Sequence, residues 1–170
     1  MPAELGNFMN WNWPKLQVSL AEQTDHWSVA KRLFQEYADS LDIDMAFEGF
    51  DEEMANFPGE YATDAGCVLL ANEGENVVGC VALGRLEDEV CEMKHLYVVP
   101  DAQGRGIGRA LVHRLIKEAK DLGYKRMKLD IVPSMRSARR LYIAFGFREI
   151  ESYRHSPIEG TTFMELTLVY

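Results

Sequence analysis

The chain has 170 residues, close to a single domain at roughly 150 residues each. Hydrophobic residues make up 47% and charged residues 26%, enough apolar side chain for a packed core, which excludes wholesale disorder. Eighteen Lys and Arg against 27 Asp and Glu leave a net charge of -9, a sign that repels polyphosphate and makes nucleic acid a poor partner.

The first 14 residues, with Trp11, Trp13 and Pro14, show neither helical nor strand period and read as an N-terminal arm to one domain over 15–170. They lack a basic segment followed by a continuous apolar run, and no stretch approaches the ~20 residues that cross a bilayer. Cys67, Cys80 and Cys91 sit singly in apolar stretches and suggest buried thiols of a reducing compartment. The expected location is the cytoplasm.

A short strand over Lys15 to Leu20 is followed by Trp27, Ala30, Phe34, Tyr37 and Leu41 at three- and four-residue steps, one apolar stripe of a helix that Thr24 or Asp25 caps. Residues 44–65 are mixed, with a short helix over Asp51 to Asn56 closed by Pro58 and Gly59. Three strands follow, at 67–71, 76–86 and 90–99, joined by turns into an antiparallel meander. After Pro100 the period becomes helical, with Ile107, Leu111, Leu115, Ala119 and Leu122 on one face and Gly123 in the C-cap region. Then come a strand over Arg126 to Ile131, a helix from Ser134 to Phe145, and strands over 147–151 and 162–169. The passage from the strand at 90 to the one at 126 is long enough for a crossover, so those two should be parallel. The fold class is α/β (α+β): a mixed, mostly antiparallel sheet of about seven strands with helices on both faces.

The chemistry concentrates in LYVVPDAQGRGIGRALV, where a strand ends at a proline and a glycine-rich turn opens into a helix. Gly104, Gly106 and Gly108 remove side chains where backbone N–H groups must approach a ligand, and the helix start adds partial positive charge. Arg105 and Arg109 add cations suited to a pyrophosphate. The dinucleotide pattern fails because Arg109 stands at its third glycine, and the nucleotide-triphosphate loop lacks its Gly-Lys-Ser/Thr ending. What remains is Gln103-x-x-Gly106-x-Gly108.

That loop resembles the acetyl-CoA pyrophosphate loop of the GCN5-related N-acetyltransferase family, Gln/Arg-x-x-Gly-x-Gly/Ala. A second signature, Ala-x-x-Leu-Tyr then Gly-Phe, is matched by Ala138, Leu141, Tyr142, Gly146 and Phe147. Met135 departs from the pattern where members often carry an asparagine. The resemblance implies the acyl-CoA N-acyltransferase fold. It also implies acetyl-CoA as cosubstrate, no metal, and transfer to a primary amine of a small molecule or peptide by direct attack in a ternary complex. Cofactor contacts would come from the backbone of Leu96, Tyr97 and Val98 and from the loop Gln103, Gly104, Arg105, Gly106, Ile107, Gly108 and Arg109.

An alkylamine with a reference pKa near ~10.4 arrives protonated, so a base is needed. The resemblance points to Glu92, which precedes Arg105 by 13 residues, the offset kept by the catalytic glutamate of the family's histone acetyltransferases. The alternative for Glu92 is a strand glutamate paired with Lys94 or an arginine. His95 is a rival base, but alternation puts it on the face opposite Glu92. Asp130 is a further option. By family position, Tyr142 would protonate the departing thiolate, or else only steady the cofactor sulphur. Tyr61, Tyr153, Arg154, His155 and Glu159 are candidates for acceptor recognition, and an exposed strand edge is compatible with a homodimer. A catalytically silent acyl-CoA-binding module and an enzyme of longer acyl-CoA are the competing readings.

Overall fold

A computed structural model describes residues 15–41 and 49–169; the expected arm over 1–14 lies outside the described residues. Seven strands form one sheet: β1 (Leu16–Leu20), β2 (Cys67–Glu73), β3 (Asn76–Glu87), β4 (Val90–Val98), β5 (Arg126–Ile131), β6 (Arg148–Ile150) and β7 (Thr162–Thr167). Their order is β1-β2-β3-β4-β5-β7-β6. The helices are α1 (Thr24–Ser40), α2 (Phe50–Ala55), α3 (Ile107–Asp121) and α4 (Arg136–Phe145), with single 3-10 turns at Gly59–Ala62 and Pro100–Ala102. No helix among the described residues is long and apolar enough to cross a membrane.

The near-continuous apolar run of β2 is buried on both faces, as a central strand demands. Leu69 and Val81 pack with Leu111, Leu115 and Met127 on the face covered by α3, while Val68 and Leu70 pack with Leu33, Phe34 and Phe50 under α1 and α2. The meander forms as expected, and the crossover through α3 returns β5 parallel to β4. The right-handed preference of such crossovers and the short turns leave few other arrangements.

Three details differ from the sequence reading. The α1 cap is Gln23, in extended conformation, not Thr24 or Asp25, which fall inside the first turn. There the His26 Nδ1 accepts the backbone N–H of Glu22 at 3.2 Å and of Gln23 at 3.3 Å, the reach of an N3 side chain back to the cap residue that closes a capping box. Helix α4 starts at Arg136, two residues later than expected, because Ser134 lies in the preceding turn. The third difference is a bulge in β4. Cys80 pairs with Tyr97 and Ala82 with Lys94, so His95 and Leu96 together face one residue of β3, and His95 takes φ +57°.

Candidate active site

Strand β4 pairs with β5 only at Val90, Cys91 and Glu92, opposite Arg126, Met127 and Lys128; beyond that the two strands part. The gap is a cleft lined by Glu92, His95 and Leu96 of β4, Asp130 of β5, Tyr142 of α4 and Arg154 of the β6–β7 segment. On the other side β4 stays paired with β3, where the Val99 N–H donates to the Val78 carbonyl at 2.9 Å. Antiparallel alternation then turns the N–H and C=O of Val98 away from β3 and into the gap. The Gln103 Nε2 donates to that Val98 carbonyl at 3.0 Å, which ties the glycine-rich loop to the strand end. Leu96 and Val98 pack their side chains on the α3 face and Tyr97 on the α1 face, so only backbone is offered along this edge.

The loop itself is shaped by Gly104 and Gly106, both at φ +81°, a left-handed conformation that L side chains resist. Gly106 is the N-cap of α3. Among the described residues, no backbone N–H from Gly104 to Arg109 donates to another protein group, so the start of α3 presents a run of unmet donors at its positive end. That donor set fits a diphosphate. Ile107 joins by its backbone alone, since its side chain is buried in the core.

The two arginines beside the loop are both engaged by the protein. Arg105 Nη1 contacts both carboxylate oxygens of Glu73 at 2.9 Å, and its Nη2 donates to the Asp101 carbonyl at 2.7 Å, so its charge is spent on bracing the loop. Arg109 stacks over the Phe145 ring at 5.6 Å.

Glu92 is buried, and its side chain is met from across the cleft: Tyr153 Oη donates to Oε2 at 2.7 Å and the Arg154 guanidinium pairs with the same oxygen. Of the two partners considered for it, the structure supplies the arginine. Lys94 goes instead to Glu53 and Glu60, at 3.6 and 3.9 Å. Tyr142 is buried against Phe147, and burial together with the charge of Asp130 pushes its phenol above the ordinary value, so the hydroxyl keeps its proton. Met135 lines the cleft and its sulfur accepts from Tyr37 Oη at 3.8 Å.

His95 is not where alternation put it. The extra residue at the bulge turns His95 to the same face as Lys94 and Glu92, where its ring packs on Phe34 at 4.4 Å and its Nε2 lies 3.0 Å from Glu53 Oε1. Glu53 itself was missed by the sequence reading, because it stands in α2 within a segment that carries no motif. Of the acceptor candidates, Tyr153 and Arg154 reach Glu92, Tyr61 is buried against Glu53, and His155 and Glu159 are exposed on the β6–β7 segment. The three cysteines are buried and free, and burial pushes the Cys91 thiol up to about 12.

A sheet splayed at one parallel pair, beside a helix start rich in unmet donors, is an arrangement that can be compared with known proteins. The family model of the acetyltransferase (GNAT) family matches residues 28–147. The chain belongs to that family. A protein of Schizosaccharomyces pombe named as an uncharacterized N-acetyltransferase is 38% identical over 89% of this chain and 92% of its own length. A second so named, from Dictyostelium discoideum, is 27% identical over 89% of this chain and 99% of its own. Among solved structures, a GNAT acetyltransferase of Staphylococcus aureus superposes with a TM-score of 0.73 at 21% identity, covering 91% of this chain and all of that one. A putative acetyltransferase of Salmonella typhimurium, solved with acetyl-CoA, gives 0.70 at 22% identity over 91% of this chain and 94% of that one. These neighbours share the GNAT fold: a mixed seven-stranded sheet with helices on both faces.

Proposed function

We propose that this GNAT chain transfers an acetyl group from acetyl-CoA to a primary amine by direct attack, with both substrates bound together. The observation that carries this reading is the parting of β4 from β5 beyond Glu92, which exposes a strand edge next to the unmet donors of Gly104 to Arg109. Acetyl-CoA supplies an activated acyl group on a thioester. The β4 edge over Leu96, Tyr97 and Val98 takes its pantetheine arm as an added strand, with the free backbone groups of Val98 turned to it, and the loop from Gln103 to Arg109 takes the diphosphate through main-chain N–H groups. Arg105 contributes by holding that loop in place.

Glu92 draws in the acceptor's ammonium group, which competes with the Arg154 guanidinium for the carboxylate, and serves as a base directly or through water. Tyr142, protonated because it is buried beside Asp130, donates to the departing sulfur. The high pKa of Cys91 supports direct attack over an acyl-cysteine route, since a thiol held protonated is a poor nucleophile. Tyr153 and Arg154 shape the acceptor side.

The test is thiol release from acetyl-CoA against a panel of polyamines, amino acids and lysine or N-terminal peptides, followed by mass analysis of the products. Steady turnover with at least one amine is expected, reduced about 10- to 100-fold in Tyr142→Phe while coenzyme A binding by calorimetry holds. Tight acetyl-CoA binding with no turnover on any amine would instead make the chain a silent acyl-CoA-binding module.

A further inference from the structure

His95 occupies a conformation that β-strands avoid. Its φ of +57° is uncommon for a residue other than glycine, and it arises where the bulge places His95 and Leu96 opposite a single residue of β3. The result is that two consecutive residues, Lys94 and His95, lie on the α1 face, and both line the cleft that holds Glu92 and Tyr142.

Glu53 then decides the protonation pattern of the ring. Its carboxylate oxygens lie 3.0 and 3.2 Å from His95 Nε2. Burial works against the charge of Glu53, but the contacts of His95, Lys94 and Tyr61 outweigh it and hold the carboxyl at about 2. An ionised carboxylate only accepts, so in the neutral ring Nε2 carries the proton and Nδ1 is a bare lone pair. Turning the ring over would set a carbon against Glu53 and forfeit this bond.

Nδ1 is the buried side-chain nitrogen or oxygen that has no hydrogen-bond partner among the described residues. Leaving such an acceptor unmet costs about 1–3 kcal/mol, and the buried polar groups of a native protein are otherwise paired. Glu92, by contrast, is already satisfied by Tyr153 and Arg154, and a carboxylate paired with a guanidinium is a weak base. We infer that His95, oriented by Glu53, is a second proton acceptor of the cleft and takes the proton of the acceptor amine at the buried Nδ1 through one water. This rests on the acetyltransferase reading and deepens it.

The proton balance closes. The acceptor arrives as an ammonium group and gives up two protons: one passes to solvent before attack, and the second goes to Nδ1 and then to solvent as the nitrogen bonds to the acyl carbon and the carbon–sulfur bond breaks. The sulfur takes a proton from the Tyr142 phenol, which solvent restores. The imidazolium formed in between is stabilised by Glu53 and opposed by Lys94, which contacts that carboxylate at 3.6 Å. Tyr37 of α1, Asp130 of β5 and Arg154 of the β6–β7 segment complete the polar groups around the cleft.

Two measurements test this. Nitrogen-15 NMR of the intact protein should show the neutral His95 ring protonated at Nε2 and bare at Nδ1; a neutral ring protonated at Nδ1 overturns the inference without any variant. In the amine assay, His95→Gln should lower kcat about 10- to 100-fold with the acetyl-CoA Kd within twofold of wild type. Glu53→Gln should reproduce part of that loss. Turnover of His95→Gln within twofold of wild type, while Glu92→Gln is inactive, makes Glu92 the sole base and sinks the idea. If His95→Gln does not fold, the tautomer and Glu53→Gln decide. A wild-type protein that acetylates no amine removes the acetyltransferase reading itself, and this inference with it.

Discussion

Arg105 reaches back from the glycine-rich loop to hold both carboxylate oxygens of Glu73 at the end of β2, at 2.9 Å each. Nη1 meets both oxygens while Nη2 donates to the Asp101 carbonyl, a two-nitrogen reach that a single lysine ammonium cannot copy. Arg105→Lys and Glu73→Gln should therefore both raise the KM for acetyl-CoA, about three- to tenfold, with kcat near wild type, because the loop loses its brace and not its donors. Steady-state kinetics with acetyl-CoA as the varied substrate checks this. An unchanged KM in both variants would mean that the loop holds its shape without the pair.

Gly106 sits at φ +81° at the head of α3. A Cβ there meets no atom within 4 Å, so space is not the difficulty; the backbone angle is. Gly106→Ala should cost about 1–2 kcal/mol of stability, and Gly106→Val more, since a branched side chain tolerates the left-handed region least. Relief of that strain shifts the donors of the loop, so coenzyme A affinity should fall at least tenfold in the valine variant. Thermal denaturation and calorimetric titration read the two effects separately.

Glu92 and Arg154 form an ion pair with side chains 9% and 29% exposed. Removing one partner leaves a charge with poor access to water, so Arg154→Gln alone should cost about 1–3 kcal/mol. The double variant with Glu92→Gln should lose less than the sum of the singles, by about 1–2 kcal/mol. Additive losses in chemical denaturation would argue that the pair contributes nothing to the folded state.

Glu53 carries a pH signature. Its carboxyl sits at about 2 in the folded chain against 4.5 as a free group, because the contacts of His95, Lys94 and Tyr61 overcome its burial. A lowered folded value means stability that is fully present above pH 4.5 and is lost as pH falls towards 2, on the order of 2–3 kcal/mol. Denaturant midpoints of wild type should therefore drop between pH 5 and pH 3 by more than those of Glu53→Gln. Parallel curves for the two proteins would rule the contribution out.

Much of this fold was readable from local pattern. The stripe from Trp27 to Leu41 marks α1, and the three apolar runs from Cys67 to Val99 mark the meander. The proline, the glycines and the amphipathic run after Val99 mark a loop that opens into α3. In each case the residues interact mainly with neighbours a few positions away, so spacing alone carries the information. The same holds for the donors of the loop, which lie in one short segment.

What failed was inference across the sheet. The face taken by His95 was read from strict alternation, and a single inserted residue in β4 reverses that parity. Its partner Glu53, 42 residues away, has no local mark, nor has the grip of Arg105 on Glu73, 32 residues away. Hydrophobic period and turn chemistry in the chain by itself determined the elements, their order and the glycine-rich loop. Only the tertiary structure decided which charges meet in the cleft, because those pairings depend on register and bulge geometry, which are settled by packing between segments distant in sequence.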